Sequence, residues 1–501
     1  ILASRGYAVV VPNFRGTPGL GSKVYYSGFG AVGRQMQEDH EDAAKWAIEQ
    51  GFADPARICI VGASYGGYAT LMALAKTPEL FKCGVAGLSV SDWELITSST
   101  AGDTAYSPAA AAFAATTYVK AGRLLDVESG RMLTDQAIVI EDTRITAIGP
   151  AASTPVPAGA TVHDLSGKTV LPGLMDAHVH LHGDADLQGY RRLAISLPAA
   201  AIKGAKNART TLLAGFTTVR VPGSPGYADV ALRDAIANGE VEGPRILAGG
   251  VAIGITGGHC SDNNLLPAEY KAVGEGVADG PWAARQKVRQ NVKFGADFIK
   301  TCSTGGVLSK GTEVGAPQYS LEELKALVDE AHALGRKVAS HAHGATGIRN
   351  ALLAGVDSIE HASFIDDEGI ALAKKNGTVL VMDIYNTEYI LGEGEKAGFL
   401  PESLEKERRV GATQRENFRK AHQAGAIMGF GTDGGVYPHG LNARQFSRMV
   451  QFGMTPLQAI RSATLVNARL FGIDKEVGVL KPGYYADLIA VDGDPLQDVA
   501  V

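Results

Sequence analysis

Hydrophobic and polar positions change rhythm along the 501 residues. From Tyr118 they alternate with period two. TYVKAGRLLD, QAIVIEDTRITAIGP and ATVHDLSGKTVLPG read as short strands separated by turn residues, and GVLKPGYYADLIAVDGDP near the C-terminus has the same character. These stretches predict a small β-sandwich domain split in sequence, with a first part at 118–170 and a returning part at 475–501. Between them a helical stretch, a glycine and an apolar strand recur. The glycines are Gly215 before TTVRV, Gly295 before DFIK, Gly335 before KVASH, Gly355 before DSIEH, Gly377 before TVLVM and Gly425 before IMGF. Glycine just past a helix end adopts the left-handed conformation that stops it. Ser320 with Glu323 forms a capping box for the helix leading to Gly335, and Thr455-Pro456 opens another helix. Adding residues 171–180 and 245–253 makes eight strands, which predict a parallel α/β architecture closed as a (β/α)8 barrel over 171–474.

The first 105 residues have a different pattern. A β-branched run at 7–11 predicts a buried strand, 41–50 a helix around Trp46, 57–61 a strand and 68–76 a helix. GASYGG at 62–67 lies between that last strand and helix, in the order of the nucleophile elbow of α/β-hydrolases. With FRGTPG upstream, this segment resembles the prolyl oligopeptidase family of serine peptidases. A serine nucleophile needs a histidine base and a carboxylate that follow it in this fold. After Ser64 no histidine occurs until His163, already in the alternating stretch. Residues 1–105 are therefore expected to be an incomplete and inert α/β-hydrolase fragment, joined by a linker at 106–117 that contains the alanine-rich SPAAAAFAATT.

Composition adds exclusions. Charged residues make up 20% and the net charge is −6, which points to neither nucleic acid nor an anionic membrane as partner. No apolar run reaches the roughly 20 residues of a membrane span. Four cysteines are widely spaced without CxxC, predicting neither a disulfide framework nor a thiolate zinc site. The default expectation is a cytoplasmic homo-oligomer acting on a small molecule or dipeptide.

The chemistry sits where the barrel strands end, which is where such folds place active sites. Strand one ends in His178 and His180, two residues apart and so on one face. Strand three ends in ITGGHC with His259, strand four in FIK with Lys300, and strand five in SHAHG with His341 and His343. Strand six ends in IEH with His361, strand seven in VMDIY with Tyr385, and strand eight in GTDGG with Asp433. Six of twelve histidines fall at these ends, which outweighs reading any one of them as an ordinary loop residue. His182 reads as a loop residue. An ammonium among bound cations would be repelled. A lysine of depressed pKa, however, reacts with CO2 to give a carbamate, an anionic oxygen ligand able to bridge two metals.

HxH, FIK, HAHG, IEH and GTDGG in this order are similar to the amidohydrolase superfamily. The nearest members are imidazolonepropionase-like and Xaa-Pro dipeptidase-like, a group that includes carboxypeptidase-type and ochratoxin-hydrolysing enzymes. The resemblance covers about 118–501. It implies that His178, His180 and Asp433 bind one divalent ion, that His341 and His361 bind a second, and that carboxylated Lys300 bridges them. Zinc is the expected metal for such ligands. The implied activity is hydrolysis of the amide bond of dipeptides or N-acyl amino acids, with Asp433 as general base and then general acid. Lys300 is the bridging ligand, and His259, His343 and Tyr385 contact substrate or the developing oxyanion. Cyclic-amide hydrolysis is the alternative within the fold. Serine peptidase activity or a non-catalytic interaction role of the N-terminal fragment is the alternative of another class. Chains of this kind usually run a strand or two past Val501, so the small β-domain is expected to be incompletely closed.

Overall fold

A strand, a single residue and a helix follow one another around Ser64, as the GASYGG motif requires. β1 (Cys59–Ala63) runs into the helix Tyr65–Lys76, and β2 (Cys83–Gly87) returns to pair with β1 in parallel. The computed structural model describes residues 8–12, 14–15, 27, 35–63, 65–87, 116–262 and 264–500, so Ser64 and 106–115 of the expected linker lie outside the described residues. The chain divides into two compact units, Ile1–Phe113 and Ala114–Val501. In the first unit the helix expected at 41–50 spans Gln35–Glu49. The strand expected at 7–11 is not formed over its described part, residues 8–11. Val9, Val10 and Val11 are all exposed, and no ladder partner among the described residues satisfies this backbone.

In the second unit the alternating stretches form a five-stranded sheet. β3 (Thr116–Asp126), β4 (Arg131–Glu141), β5 (Arg144–Pro150) and β6 (Thr161–Pro172) come first, and the C-terminal β15 (Leu488–Val491) returns antiparallel to β6. The order is β15-β6-β3-β4-β5. What the sequence marks as a sandwich is thus one sheet with an apolar cluster on each face. Val119, Ala121, Ile138 and Ile140 lie on one, and Tyr118, Ala137 and Val139 on the other. Period-two alternation accounts for both faces.

Between β6 and β15 run the eight parallel strands. They are β7 (Leu174–Asp176), β8 (Phe216–Val221), β9 (Arg245–Ala248), β10 (Ile299–Cys302), β11 (Val338–Ala342), β12 (Ser358–His361), β13 (Val379–Val381) and β14 (Met428–Gly429). They pair as two arcs, β7-β8-β9 and β10 through β14. Parallel bridges Ile253↔Thr301 and Val179↔Gly434 join the arcs at both seams, with Ile253 N donating to Lys300 O at 2.9 Å and Asp433 N to His178 O at 2.7 Å. The ring closes just past the ends of its strands, and that is where the histidines are. The helix-stopping glycines behave as their positions predict. Gly215, Gly295, Gly335, Gly355, Gly377 and Gly425 all have φ between 70° and 95°. The capping boxes Ser320/Glu323 and Thr455/Gln458 are both formed.

The cysteines correct the expectation from spacing: Cys59 is bonded to Cys83 and Cys260 to Cys302. Parallel pairing makes Cys59 and Cys83 direct partners across β1 and β2, 24 positions apart, and a turn beyond β9 brings Cys260 to Cys302, 42 positions away. Linear spacing carries no trace of this. Among the described residues no helix is long and apolar enough to cross a membrane.

Candidate metal centre

The strand ends open into one cavity of about 780 Å³, whose floor carries His178, His180, Lys300, His341, His361 and Asp433. Its upper walls are aliphatic, including Leu187, Leu193, Leu266, Leu308 and Val436. Asp433 Oδ1 lies 3.2 Å from His180 Nε2 and 3.5 Å from His178 Nε2. Ligating atoms of His178, His361 and Asp433 fall within 4.8 Å of one another, and so do those of His341, His343 and His361. Both groups share His361, so the floor holds two adjacent clusters. Two of these residues have backbones that few non-glycine residues adopt: φ is +68° at His361 and +56° at Asp433. Such strain persists only where surrounding structure enforces it, and here it turns each side chain off the end of its strand into the cavity.

Five of these imidazoles are oriented by a bond to the nitrogen that faces away from the cavity. His178 Nδ1–H donates to Glu360 Oε2 at 2.8 Å, and His361 Nδ1–H to Asp383 Oδ1 at 2.7 Å. A carboxylate only accepts, so both rings carry their proton on Nδ1 and present the Nε2 lone pair inward. His343 and His259 pair their Nδ1 with Ser363 Oγ at 2.7 Å and Ser309 Oγ at 2.8 Å. His341 is reversed. Its Nε2 bonds Gly305 O at 3.2 Å, leaving Nδ1 as the inward atom.

Electrostatics favour neutral rings at His178, His259, His341 and His343, whereas at His361 burial is outweighed by the Asp383 carboxylate, which raises its pKa. Burial, then the nearby Lys300 charge, lowers the His178 pKa to about 3. Burial lowers His259 to about 3 and takes His341 and His343 well below the ordinary imidazole value. Burial opposes ionisation of Asp433, but its bond to His180 and the charges of His178 and His180 hold it well below the usual carboxylate range. Lys300 is 3% exposed, and burial lowers its pKa to about 8. Its ammonium has no hydrogen-bond or ion-pair partner among the described residues. Neutral imidazoles, an ionised carboxylate and a lysine near neutrality are donors a divalent cation can use without displacing many protons.

Residues 169–501 match the model of the Amidohydrolase family. The chain belongs to this family. Metal-dependent hydrolysis of amide bonds is its chemistry. Ochratoxinase of Aspergillus niger is 33% identical over 407 residues, covering 77% of this chain and 83% of that one. The crystal structure of a Xaa-Pro dipeptidase with bound methionine in its active site is 39% identical, covers 77% of this chain and 96% of that one, and superposes with a TM-score of 0.73. Residues 1–117 match the Prolyl oligopeptidase family. There, dipeptidyl aminopeptidase BIII of Pseudoxanthomonas mexicana is 48% identical over 84 residues, 17% of this chain and 12% of that one.

One residue singled out from the sequence of this amidohydrolase is not in its cavity. Tyr385 packs edge-on against Tyr437, and its hydroxyl accepts from Arg444 Nη1 at 2.8 Å. β13 ends at Val381, four residues earlier than the sequence reading, and the turn that follows points Asn386 inward instead. Asn386 Nδ2 donates to Asp383 Oδ2 at 2.5 Å and to Asp433 Oδ2 at 3.3 Å. His182, read as a loop residue, does line the cavity and bonds Ser224 Oγ at 3.1 Å. Sequence reading also missed the partners behind the histidines. Arg220 Nη2 donates to Glu360 Oε1 at 2.7 Å, and Arg220 Nε to Ala177 O at 2.7 Å. Both ions are buried, in TTVRV and DSIEH. Opposite charges inside two apolar strands are a signal that could have paired them, since buried charges are rarely left single.

Proposed function

We propose that this chain is a binuclear metal-dependent hydrolase that cleaves the amide bond of dipeptides or N-acyl amino acids. The observation that carries this reading is the convergence of the inward nitrogens of His178, His180, His341 and His361 with Asp433 and Lys300 on one cavity floor. In this reading His178, His180 and Asp433 would hold one ion and His341 and His361 the other, with Lys300, as its carbamate, supplying an anionic oxygen ligand to the pair. The donors suit zinc, with manganese or cobalt as substitutes. When bound, such a pair of ions would supply a water acidified to a pKa of about 7 and polarise the scissile carbonyl.

The chain's own residues do the rest. Asp433, ionised and aimed at the floor, accepts the proton of the attacking water and returns it to the leaving amine. His343, adjoining His341 and His361, and His259, stacked on His341 with ring centroids 4.1 Å apart, offer Nε2 to the carbonyl oxygen. Aliphatic walls above exclude bulk water and receive the flanking side chains. The named relatives, a Xaa-Pro dipeptidase and an ochratoxinase, support an amide with an amino acid on one side. The division into a fragment at 1–105, a linker at 106–117 and a barrel at 171–474 between two parts of a small β-domain belongs to the same proposal.

The test is metal analysis of the purified full chain, followed by a panel of dipeptides and N-acyl amino acids assayed with and without chelator. We expect about two ions per chain and turnover that disappears on chelation and returns with zinc, manganese or cobalt. Turnover that survives complete removal of metal would sink the proposal. A second expectation concerns Glu360. Glu360→Gln keeps the shape but replaces one of two acceptor oxygens with a donor, so the His178 tautomer is no longer fixed, and it leaves Arg220 without its counter-charge. Metal affinity, read by titration against a competing chelator, should fall about 10–100-fold. Unchanged affinity would show that His178 needs no such orientation.

A further inference from the structure

Behind the cavity floor lies a carboxyl group that belongs to neither cluster of ligands. Asp176 is the last residue of β7, two before His178 and so on the same face of the chain. It is wholly buried and does not line the cavity. Its Oδ1 accepts from His178 N and Thr432 N, both at 3.1 Å, and its Oδ2 from Thr432 Oγ1 at 2.5 Å and Asn442 Nδ2 at 2.8 Å. Asn442 Oδ1 in turn accepts from Gly440 N at 3.1 Å, which fixes that amide with its nitrogen towards Asp176. No cation pairs with Asp176 among the described residues. A buried carboxyl without a counter-charge is costly, and a neutral side chain would be less so unless the acceptors are needed. Here they are. Three of the four donors are N–H groups, which cannot reverse, and they arrive on both oxygens. A carboxyl accepts all three in either protonation state. An amide of the same shape accepts on one oxygen only and would turn its own NH2 against Asn442.

What these bonds join is a seam of the barrel. β7 and β14 are outer strands of the two arcs and share no ladder; the bridge Val179↔Gly434 and a few backbone bonds connect the chain beyond their ends. His178, His180 and Asp433 stand on those two continuations. Asp176 grips both from behind, at His178 itself and at Thr432, the residue before Asp433. Thr432 Oγ1 also accepts from Gly434 N at 3.1 Å, so the grip reaches both neighbours of Asp433, whose φ is +56°. We propose that Asp176 is a positioning residue of the metal centre, which through Thr432 and Asn442 holds His178 and Asp433 in the register that lets them share an ion. The proposal rests on the binuclear reading and deepens it.

The experiment titrates zinc against a competing chelator on the metal-free full chain, as wild type, Asp176→Asn, Asp176→Asn combined with Asn442→Asp, and Ile138→Ala. Ile138→Ala opens a cavity in the core of the five-stranded sheet and controls for lost stability alone. Asp176→Asn should weaken the binding of one ion about 10–100-fold and lower kcat with it, KM changing little. Adding Asn442→Asp returns a carboxyl to the pair with donor and acceptor exchanged, and should recover most of that loss. Ile138→Ala should lower the melting temperature and keep both ions at wild-type affinity. Unchanged affinity in Asp176→Asn, no recovery in the double variant, or an equal loss in Ile138→Ala overturns the proposal. Should Asp176→Asn not fold, Thr432→Val and Asn442→Ala each remove one bond and should weaken binding about 3–10-fold; wild-type affinity in both overturns the proposal. A wild type that takes up no metal overturns the binuclear reading, and the proposal with it. Two ions in the wild type with an unaffected Asp176→Asn overturns the proposal alone.

Discussion

Lys300→Ala is expected to abolish amide hydrolysis, by roughly a thousandfold or more, and to lower the metal content from two ions per chain to one or none. The magnitude follows from losing several kcal/mol of charge stabilisation at about 1.4 kcal/mol per tenfold. Lys300 lies in β10 at the cavity floor, almost wholly buried, with no carboxylate or carbonyl paired to its ammonium among the described residues. A buried unpaired ammonium is costly, and conversion to a carbamate, with release of two protons, removes it by exchanging the positive charge for one negative charge shared by two oxygens. The neutral amine is the form that reacts with CO2. With its pKa lowered from 10.5 to about 8, that form rises from roughly 0.03% to about 10% at pH 7. Below that value each unit of pH multiplies the reactive fraction about tenfold, and above it the fraction saturates. Reactivation of metal-free wild type by zinc, at a fixed concentration of dissolved CO2, should therefore accelerate between pH 6.5 and 8 and level off beyond. Two ions per chain in Lys300→Ala, measured by elemental analysis, would show that the lysine does not bridge them.

The barrel and the floor of its cavity were legible because both are written in local pattern. A glycine stops each helix through its own φ, and a strand end is marked by where an apolar run stops. Six glycines and six histidines could therefore be placed without knowing a single tertiary contact. What stayed hidden depends on contacts between distant segments. Glu360 meets His178 across 182 positions and Arg220 across 140, so nothing near any of the three marks the network. Tyr385 and Asn386 were exchanged because β13 stops at Val381 and an irregular turn carries the chain onward. Past a strand end, alternation no longer predicts which side chain faces in. The cysteines were misread for the same reason, since the fold joins residues that spacing keeps apart.

Asp433→Asn should lower kcat by about 100- to 10,000-fold while KM changes little, the signature of an interaction made only in the transition state. The substitution is chosen for what it preserves. Asparagine, like aspartate, tolerates the left-handed backbone that residue 433 adopts with φ +56°. It keeps an oxygen near His180 Nε2, and the backbone bond from residue 433 to His178 O at 2.7 Å is untouched. What it removes is a carboxylate held ionised by His180 and His178, the group on the floor placed to take a proton and give it back. Asp433→Ala would strip a metal ligand and the base together, so its effect could not be divided between them. With Asn, the two roles separate by measurement. If metal content holds near two per chain while kcat collapses, the carboxylate acts as the base. If metal content and kcat fall in proportion, Asp433 serves as a ligand alone. If kcat stays within a few-fold of wild type, the proton is carried by another residue, and His343, paired to Ser363 and adjoining His341 and His361, is the next to test.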